Sequence, residues 1–310
     1  LKSGFLLRKY YCLLKPDIIH YQMHGLFLLM RMTLWKIRIN EVVTIHGLTK
    51  RESYYSRNLG VKIVKRLNEF VNLFILPPNA IFVSEFSHQE YRKYKFEKYS
   101  IIFNSVSEDF YKNAPKPLNN NVLLYMGYIN PLKNLLLLLS AVRTLKLENL
   151  DFTVLVIGEF SDSLYKNTVL DFISRNNLND AVMFLGHKKQ SELVSLLRES
   201  DALVVTSRHE NLPVVITKAM ASGKVVIASN VGGVPEMIRH GETGYLYKSD
   251  SEYELCEILK VFNQRRSNEI GTNAKQYALK YFNSVENAKR IFDFYLVLLQ
   301  STCDLAFGKS

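Results

Sequence analysis

The chain has 310 residues, and at roughly 100–200 residues per domain that length predicts two domains. Hydrophobic residues make up 47% and charged residues 22%, a profile that excludes a disordered, collagen-like or low-complexity chain. The net charge of +11 is concentrated at one end. Residues 1–120 hold 19 Lys and Arg against 9 Asp and Glu, and the remainder 21 against 20, so the first part predicts a basic face suited to phosphates, nucleic acid or an anionic membrane. Cys12, Cys256 and Cys303 show no Cys-x-x-Cys spacing, which argues against a disulfide scaffold or structural zinc and for a reducing compartment. No stretch approaches the ~20 apolar residues of a membrane span, and no secretory leader is recognisable. The chain starts at Leu1 rather than Met, so it reads as a fragment.

In chain order, 17–21 (DIIHY) predicts a buried strand after the Lys15-Pro16 turn. A helix is predicted at 25–38, a strand at 41–46 (EVVTIH), an amphipathic helix at 61–74, a strand at 80–84, a helix at 87–94 and a strand at 100–103. The stretch 111–121, YKNAPKPLNNN, holds neither helix nor central strand and reads as an interdomain linker. Beyond it the alternation is clearer. Strands are predicted at 122–126, 152–157, 182–185, 202–206 and 225–228, and helices at 135–146, 163–176, 191–200, 213–222, 235–239, 251–264 and 267–281. Near-continuous apolar strands separated by helices mean crossover units and a parallel sheet covered on both faces. Ligands then belong at the carboxyl ends of the strands.

The strongest local signal is 206–223, TSRHENLPVVITKAMASG. A strand ends, a loop follows, and Pro213 opens a helix whose free N–H groups and dipole suit an anion. Glu210 lies just ahead, where a carboxylate can grip sugar hydroxyls or simply stabilise the helix start. Next, 229–246 reads SNVGGVPEMIRHGETGYL, and earlier 126–134 reads MGYINPLKN. Gly127 directly follows a strand, and Lys133 stands six residues on, where a lysine suits a diphosphate.

These blocks, with VIGE and FLGHKKQSELVSLLRESDALVV between them, resemble retaining glycosyltransferases of the GT-B fold. The closest resemblance is to group 1, family 4-like members that build lipopolysaccharide, capsule and other bacterial surface glycans. The resemblance spans residue 122 to about 282. It is weaker in the first part, where KPDIIH, VTIHG, FVS and FNSV resemble successive strand ends, and 281–299 resembles a last helix crossing back to the first domain. The resemblance implies an α/β chain with two Rossmann-like doubly wound domains facing across a cleft. These would be an incomplete acceptor-side domain at 1–115, a nucleotide-sugar-binding domain at 122–282, and a crossing helix and tail at 283–310. It further implies transfer from a nucleotide-diphosphate sugar, with retained configuration and no metal or other cofactor, to a glycan or lipid-linked acceptor. The implied location is cytoplasmic, with the basic 49–73 segment suited either to an anionic inner membrane face or to ordinary packing in the core. Nucleic acid is not an expected partner, because no binding motif accompanies the charge.

Carried over residue by residue, Glu210 matches the first glutamate of the family's Glu-x7-Glu motif, which holds the donor sugar. Asn211, Leu212 and Pro213 match the loop along sugar and phosphate. Lys133 matches the phosphate lysine and His46 the cleft histidine. Gly127, Tyr128, Gly158 and His187 fall at donor-side strand ends, the last near the base. His20 and His24 are expected in structural or acceptor-loop roles. Three departures stand out. Lys218 occupies the place of the second glutamate, and a lysine has donors but no acceptor for ribose hydroxyls. Tyr128 stands where the family often has arginine. The family's first strand and glycine-rich loop are not in this sequence, so a truncated first domain with open sheet edges is expected. A catalytically weak or inactive homologue serving as a binding or scaffold subunit is therefore the competing reading.

Overall fold

The computed structural model describes residues 2–22, 31–32, 34, 39–47, 59–112, 121–265 and 268–307. Most of the expected 25–38 helix, His24 and the core of the expected linker lie outside these residues. The chain divides into two compact units, one of residues 1–103 with 285–310, the other of residues 104–284.

The first unit opens with a helix the sequence reading did not anticipate, α1 (Lys2–Leu14). Four parallel strands follow, β1 (Ile18–Tyr21), β2 (Asn40–Ile45), β3 (Asn79–Phe82) and β4 (Lys98–Ile101), paired in simple chain order. Helix α2 (Leu59–Ile75) connects β2 to β3, and α3 (Glu85–Glu90) connects β3 to β4. Ser84 caps α3 by accepting from the Ser87 N–H at 3.0 Å while Ser87 Oγ accepts from the Ser84 N–H at 3.3 Å, a reciprocal cap that satisfies two otherwise open donors. A right-handed crossover always returns on the same side when the strand order never reverses. Accordingly one sheet face carries Ile75 of α2 and Phe86 of α3 against Val43, Ile45 and Phe82, and Leu7 of the preceding α1 joins the same cluster. The other face is covered from far along the chain. Val42, Ile81 and Ile102 pack on Phe294 and Leu298 of α11 (Ser284–Phe307).

The second unit holds six parallel strands: β5 (Val122–Met126), β6 (Thr153–Ile157), β7 (Val182–Gly186), β8 (Ala202–Val205), β9 (Val225–Ser229) and β10 (Tyr245–Tyr247). They run β10-β9-β8-β5-β6-β7, which is the doubly wound dinucleotide-binding order. Between them lie α4 (Leu135–Leu147), α5 (Ser163–Arg175), α6 (Gln190–Glu199), α7 (Val214–Ala221), α8 (Val234–Met237), α9 (Glu252–Arg265) and α10 (Glu269–Tyr281). Leu123, Val154, Val204 and Ile227 of the central strands share one core with Leu138, Val142, Leu255 and Leu259 of α4 and α9. Burying each such side chain contributes ~1.5–3 kcal/mol. The three-residue β10 was too short to be read from periodicity.

The division between units falls at 103/104 rather than in 111–121. Residues 104–112 go with the second unit for a packing reason. Val106 bridges to Asn283, the Tyr111 hydroxyl donates to Ala278 O at 3.0 Å, and Phe110 is fully buried.

Candidate functional site

Strand order reverses between β5 and its neighbour β8. Chains leaving these two strands depart to opposite faces, which opens a crevice at their carboxyl ends. The segments that leave there are 127–134 and 206–213, the two blocks singled out in the sequence.

Backbone geometry builds the β5 side. Gly127 and Gly158 follow β5 and β6 with φ of +143° and +135°, and Gly186 ends β7 with φ of +66°, torsions that L side chains resist. The Gly127 N–H donates to Ile157 O at 2.9 Å, and the Gly158 N–H to Gly186 O at 3.0 Å. A Cβ on Gly158 would stand 1.9 Å from Gly127 O, so the strand ends approach more closely than any side chain allows. His187 continues from Gly186 as an exposed residue. Tyr128 also points outward, and its carbonyl accepts from the Tyr125 hydroxyl at 3.2 Å.

The two outgoing segments are stitched together. The Arg208 N–H donates to Leu132 O at 2.8 Å, Arg208 Nη1 to Pro131 O at 2.9 Å, and Thr206 Oγ1 to Lys133 O at 2.9 Å. Asp250 accepts from Arg208 Nε at 2.9 Å and from Asn134 Nδ2 at 2.8 Å. Asn130 Oδ1 takes the Lys133 N–H at 3.0 Å. These bonds aim the Lys133 ammonium at Glu210 Oε1, with which it forms an ion pair. Ser207 Oγ donates to the same oxygen at 2.6 Å, and Ser229 Oγ holds Ser207 O at 2.5 Å. Glu210, Asn211, Leu212 and Pro213 are all buried. Pro213 is the cap residue before α7 rather than its first helical residue.

Lys218 lies on α7 with its ammonium 5.5 Å from the centre of the Phe110 ring. It has no ion-pair partner among the described residues, and burial lowers its pKa. An aromatic face offers a cation partial compensation for lost water.

The structure therefore brings Lys133 and Glu210 into direct contact and sets Gly127 and Gly158 side by side. Lys218 rests on Phe110. His46 belongs to the first unit, exposed after β2, with Nε2 3.0 Å from Gln22 Oε1. His20 has both ring nitrogens engaged, by Thr44 Oγ1 at 2.7 Å and by the Tyr295 hydroxyl. Burial first, and His46 second, lower its pKa. That is a structural placement. Sequence reading missed Ser207, Arg208 and Asp250. The first two lie inside the SRHEN block, but nothing near Asp250 in sequence marks it as their partner. Among the described residues no group of three or more His, Cys, Asp or Glu is placed to hold a metal ion.

The site lies inside a match to the family of glycosyl transferases group 1, which covers residues 106–277. The chain belongs to that family. An uncharacterised glycosyltransferase of Methanocaldococcus jannaschii is 31% identical over 183 residues, which cover 58% of this chain and 49% of that one. The chain thus spans about half the length of that relative. A lipopolysaccharide 1,2-N-acetylglucosaminetransferase of Salmonella typhimurium is 27% identical over 279 residues, 82% of this chain and 72% of the relative. Among solved structures, Anabaena HepE in complex with UDP-glucose superposes with a TM-score of 0.76 at 22% identity, covering 91% of this chain and 79% of that one. That likeness is one of fold, and it matches the two parallel-sheet Rossmann-like units to the GT-B architecture.

Proposed function

We propose that the chain transfers a sugar from a nucleotide-diphosphate sugar to a glycan or lipid-linked acceptor of a surface polysaccharide, with retained anomeric configuration and without a metal. The observation that carries this reading is the Lys133–Glu210 pair at the point where strand order reverses in the second unit. Glu210 is the acceptor of hydrogen bonds from donor-sugar hydroxyls. Lys133 neutralises the diphosphate as it departs, and charge so placed in a water-poor crevice stabilises the transition state more than the ground state. Gly127 and Gly158 let backbone lie against the donor, Asn211, Leu212 and Pro213 line it, and His187 and Tyr128 stand at its rim. His46 is assigned to the acceptor side on the family resemblance alone. A lysine at 218, with donors and no acceptor, suits phosphate rather than ribose.

The bound UDP-glucose of HepE and the acceptor named for the Salmonella relative support the substrate classes. Reaction at the cytoplasmic membrane face suits a lipid-linked acceptor. Among the described residues no helix is long and apolar enough to cross a membrane. Calorimetric titration with UDP, GDP, ADP and their sugar conjugates, without metal, tests the reading. Saturable binding of one nucleotide, lost in Glu210→Gln, is expected. A folded chain that binds none of them refutes it and favours the scaffold-subunit reading, for which Lys218, resting on the Phe110 ring with no ion-pair partner among the described residues, is the specific observation.

A further inference from the structure

Helix α10 carries two faces of different chemistry. Ile270, Gly271, Ala274 and Ala278 are buried in the second unit. Asn273, Gln276, Tyr277 and Tyr281 recur at i, i+3, i+4 and i+8, a spacing that gathers them on another side of the helix. With Arg239 and Glu242 of the turn before β10, they line a cleft of about 430 Å³, a size usual for ligand sites. That turn leads into the amino end of β10, so the cleft lies away from the carboxyl-end crevice of Lys133 and Glu210. The Tyr277 and Tyr281 rings stand 4.5 Å apart at 39° and form an aromatic floor. The Tyr277 hydroxyl pins it by donating to Glu236 O at 2.9 Å. The Arg239 guanidinium lies 5.6 Å from the centre of the Tyr277 ring, and the Lys280 ammonium 5.1 Å from that of Tyr281. Two bonds hold the turn in place: the Arg239 N–H donates to Thr243 Oγ1 at 2.9 Å, and Asn273 Nδ2 donates to Glu242 O at 3.3 Å.

We propose that this cleft is a second carbohydrate site, separate from the donor crevice, which binds a neutral oligosaccharide. Sugar hydroxyls donate and accept at once, and the side chains at the cleft supply both roles. The Gln276 amide makes no hydrogen bond to a described residue and offers two donors and an acceptor. Arg239 brings donors only and Glu242 acceptors only. At 3.8 Å these two stand beyond hydrogen-bond distance of each other, which leaves both to a ligand. The tyrosine floor gives the apolar face of a sugar ring a flat surface to lie on. Charge decides between ligands. An anion drawn by Arg239 and Lys280 also meets the Glu242 carboxylate, which disfavours it, whereas a neutral sugar uses all three. Held there, a polymeric acceptor or product stays on the enzyme at raised local concentration. This extends the glycan-acceptor reading above, but binding at α10 needs neither donor nor turnover, so the two fail separately.

The experiment is an NMR titration of the isotope-labelled full chain with maltotriose, with chitotriose and with inorganic phosphate. The first two are neutral oligosaccharides without and with acetamido groups. Saturable shifts of the 239–243 and 273–281 amides are expected for at least one of them, with a Kd of about 1 mM or tighter, and none for phosphate. Added UDP should leave that binding unchanged. Arg239→Ala with Gln276→Ala, both at exposed positions, should weaken it about tenfold with unchanged circular dichroism. Shifts confined to other residues, competition by UDP, indifference to the double substitution, or no binding of either oligosaccharide overturns the proposal. Phosphate binding at the same amides also overturns it, in favour of an anion site.

Discussion

Adding one methyl group at Gly158 should cost far more stability than adding one at Gly127, although both glycines carry nearly the same backbone torsion. Each has φ near +140°, at +135° and +143°, so alanine at either position suffers ~1–3 kcal/mol of backbone strain. The surroundings differ. The new Cβ at Gly127 meets nothing within 4 Å, while at Gly158 it lands 1.9 Å from Gly127 O and 2.8 Å from the carbonyl carbon. Those atoms are backbone, held by the β5–β6 register, and cannot swing aside as a side chain would. Overpacking of this kind adds ~1–3 kcal/mol, and an immovable obstacle puts it at the top of that range. Gly158→Ala should therefore lose ~4–6 kcal/mol. In a unit of this size ~2–4 °C accompanies each kcal/mol, so its melting transition should fall roughly 8–24 °C. Calorimetric scans of both variants check this, with the second unit's transition assigned by its response to nucleotide. Equal shifts for the two alanines, or a fall below about 2 °C for Gly158→Ala, would refute the idea that close backbone contact fixes this end of the sheet.

Other expectations follow from the charged groups. Glu210→Gln leaves the half-buried Lys133 without its counter-charge and should lose about 1–3 kcal/mol of stability. Its combination with Lys133→Met should cost clearly less than the two single changes added, and additivity in denaturation experiments would show that the pair does not interact. Burial lowers the Lys218 pKa from 10.5, so the unfolded chain binds its proton more readily and the group destabilises the fold at neutral pH. Lys218→Met should melt higher than the parent near pH 7, and the gap should close as pH rises through the folded pKa toward 10.5. His20 also has a lowered pKa. Its contribution is complete above pH 6.5 and lost as pH falls through the folded value. His20→Gln should flatten the acid side of the first unit's melting profile, and an unchanged profile would remove His20 from that role.

Much of the second unit was legible because its strands are unbroken apolar runs and its helices alternate with them. VLLYM, TVLVI and VVIAS leave little choice of structure. Glu210 and Lys133 were legible because each stands just beyond such a strand. The first unit gave weaker signals. Apolar residues in α1 are divided between Leu7, which packs inward, and Leu6, Tyr10 and Leu13, which do not, so no single buried stripe marks the helix. Contacts distant in sequence left no trace. Asp250 reaches Arg208 and Asn134 across 42 and 116 residues, and no periodicity encodes such bonds. The boundary between units was placed in the polar 111–121 stretch because composition changes there. Packing of Val106, Phe110 and Tyr111 moved it eight or more residues earlier, to 103/104.

The covering of the first sheet by α11 has a consequence for the order of events during synthesis. The second unit is one continuous stretch, so it can close as soon as residue 284 has left the ribosome. The first unit is made earlier, yet the α11 residues Phe294 and Leu298 that cover Val42, Ile81 and Ile102 arrive last. At ~5–20 residues per second the β2 segment waits roughly 10–50 seconds for that helix. The half that is translated first is thus the half that is completed last, and a stop codon anywhere before Phe294 would deprive Val42, Ile81 and Ile102 of their α11 partners.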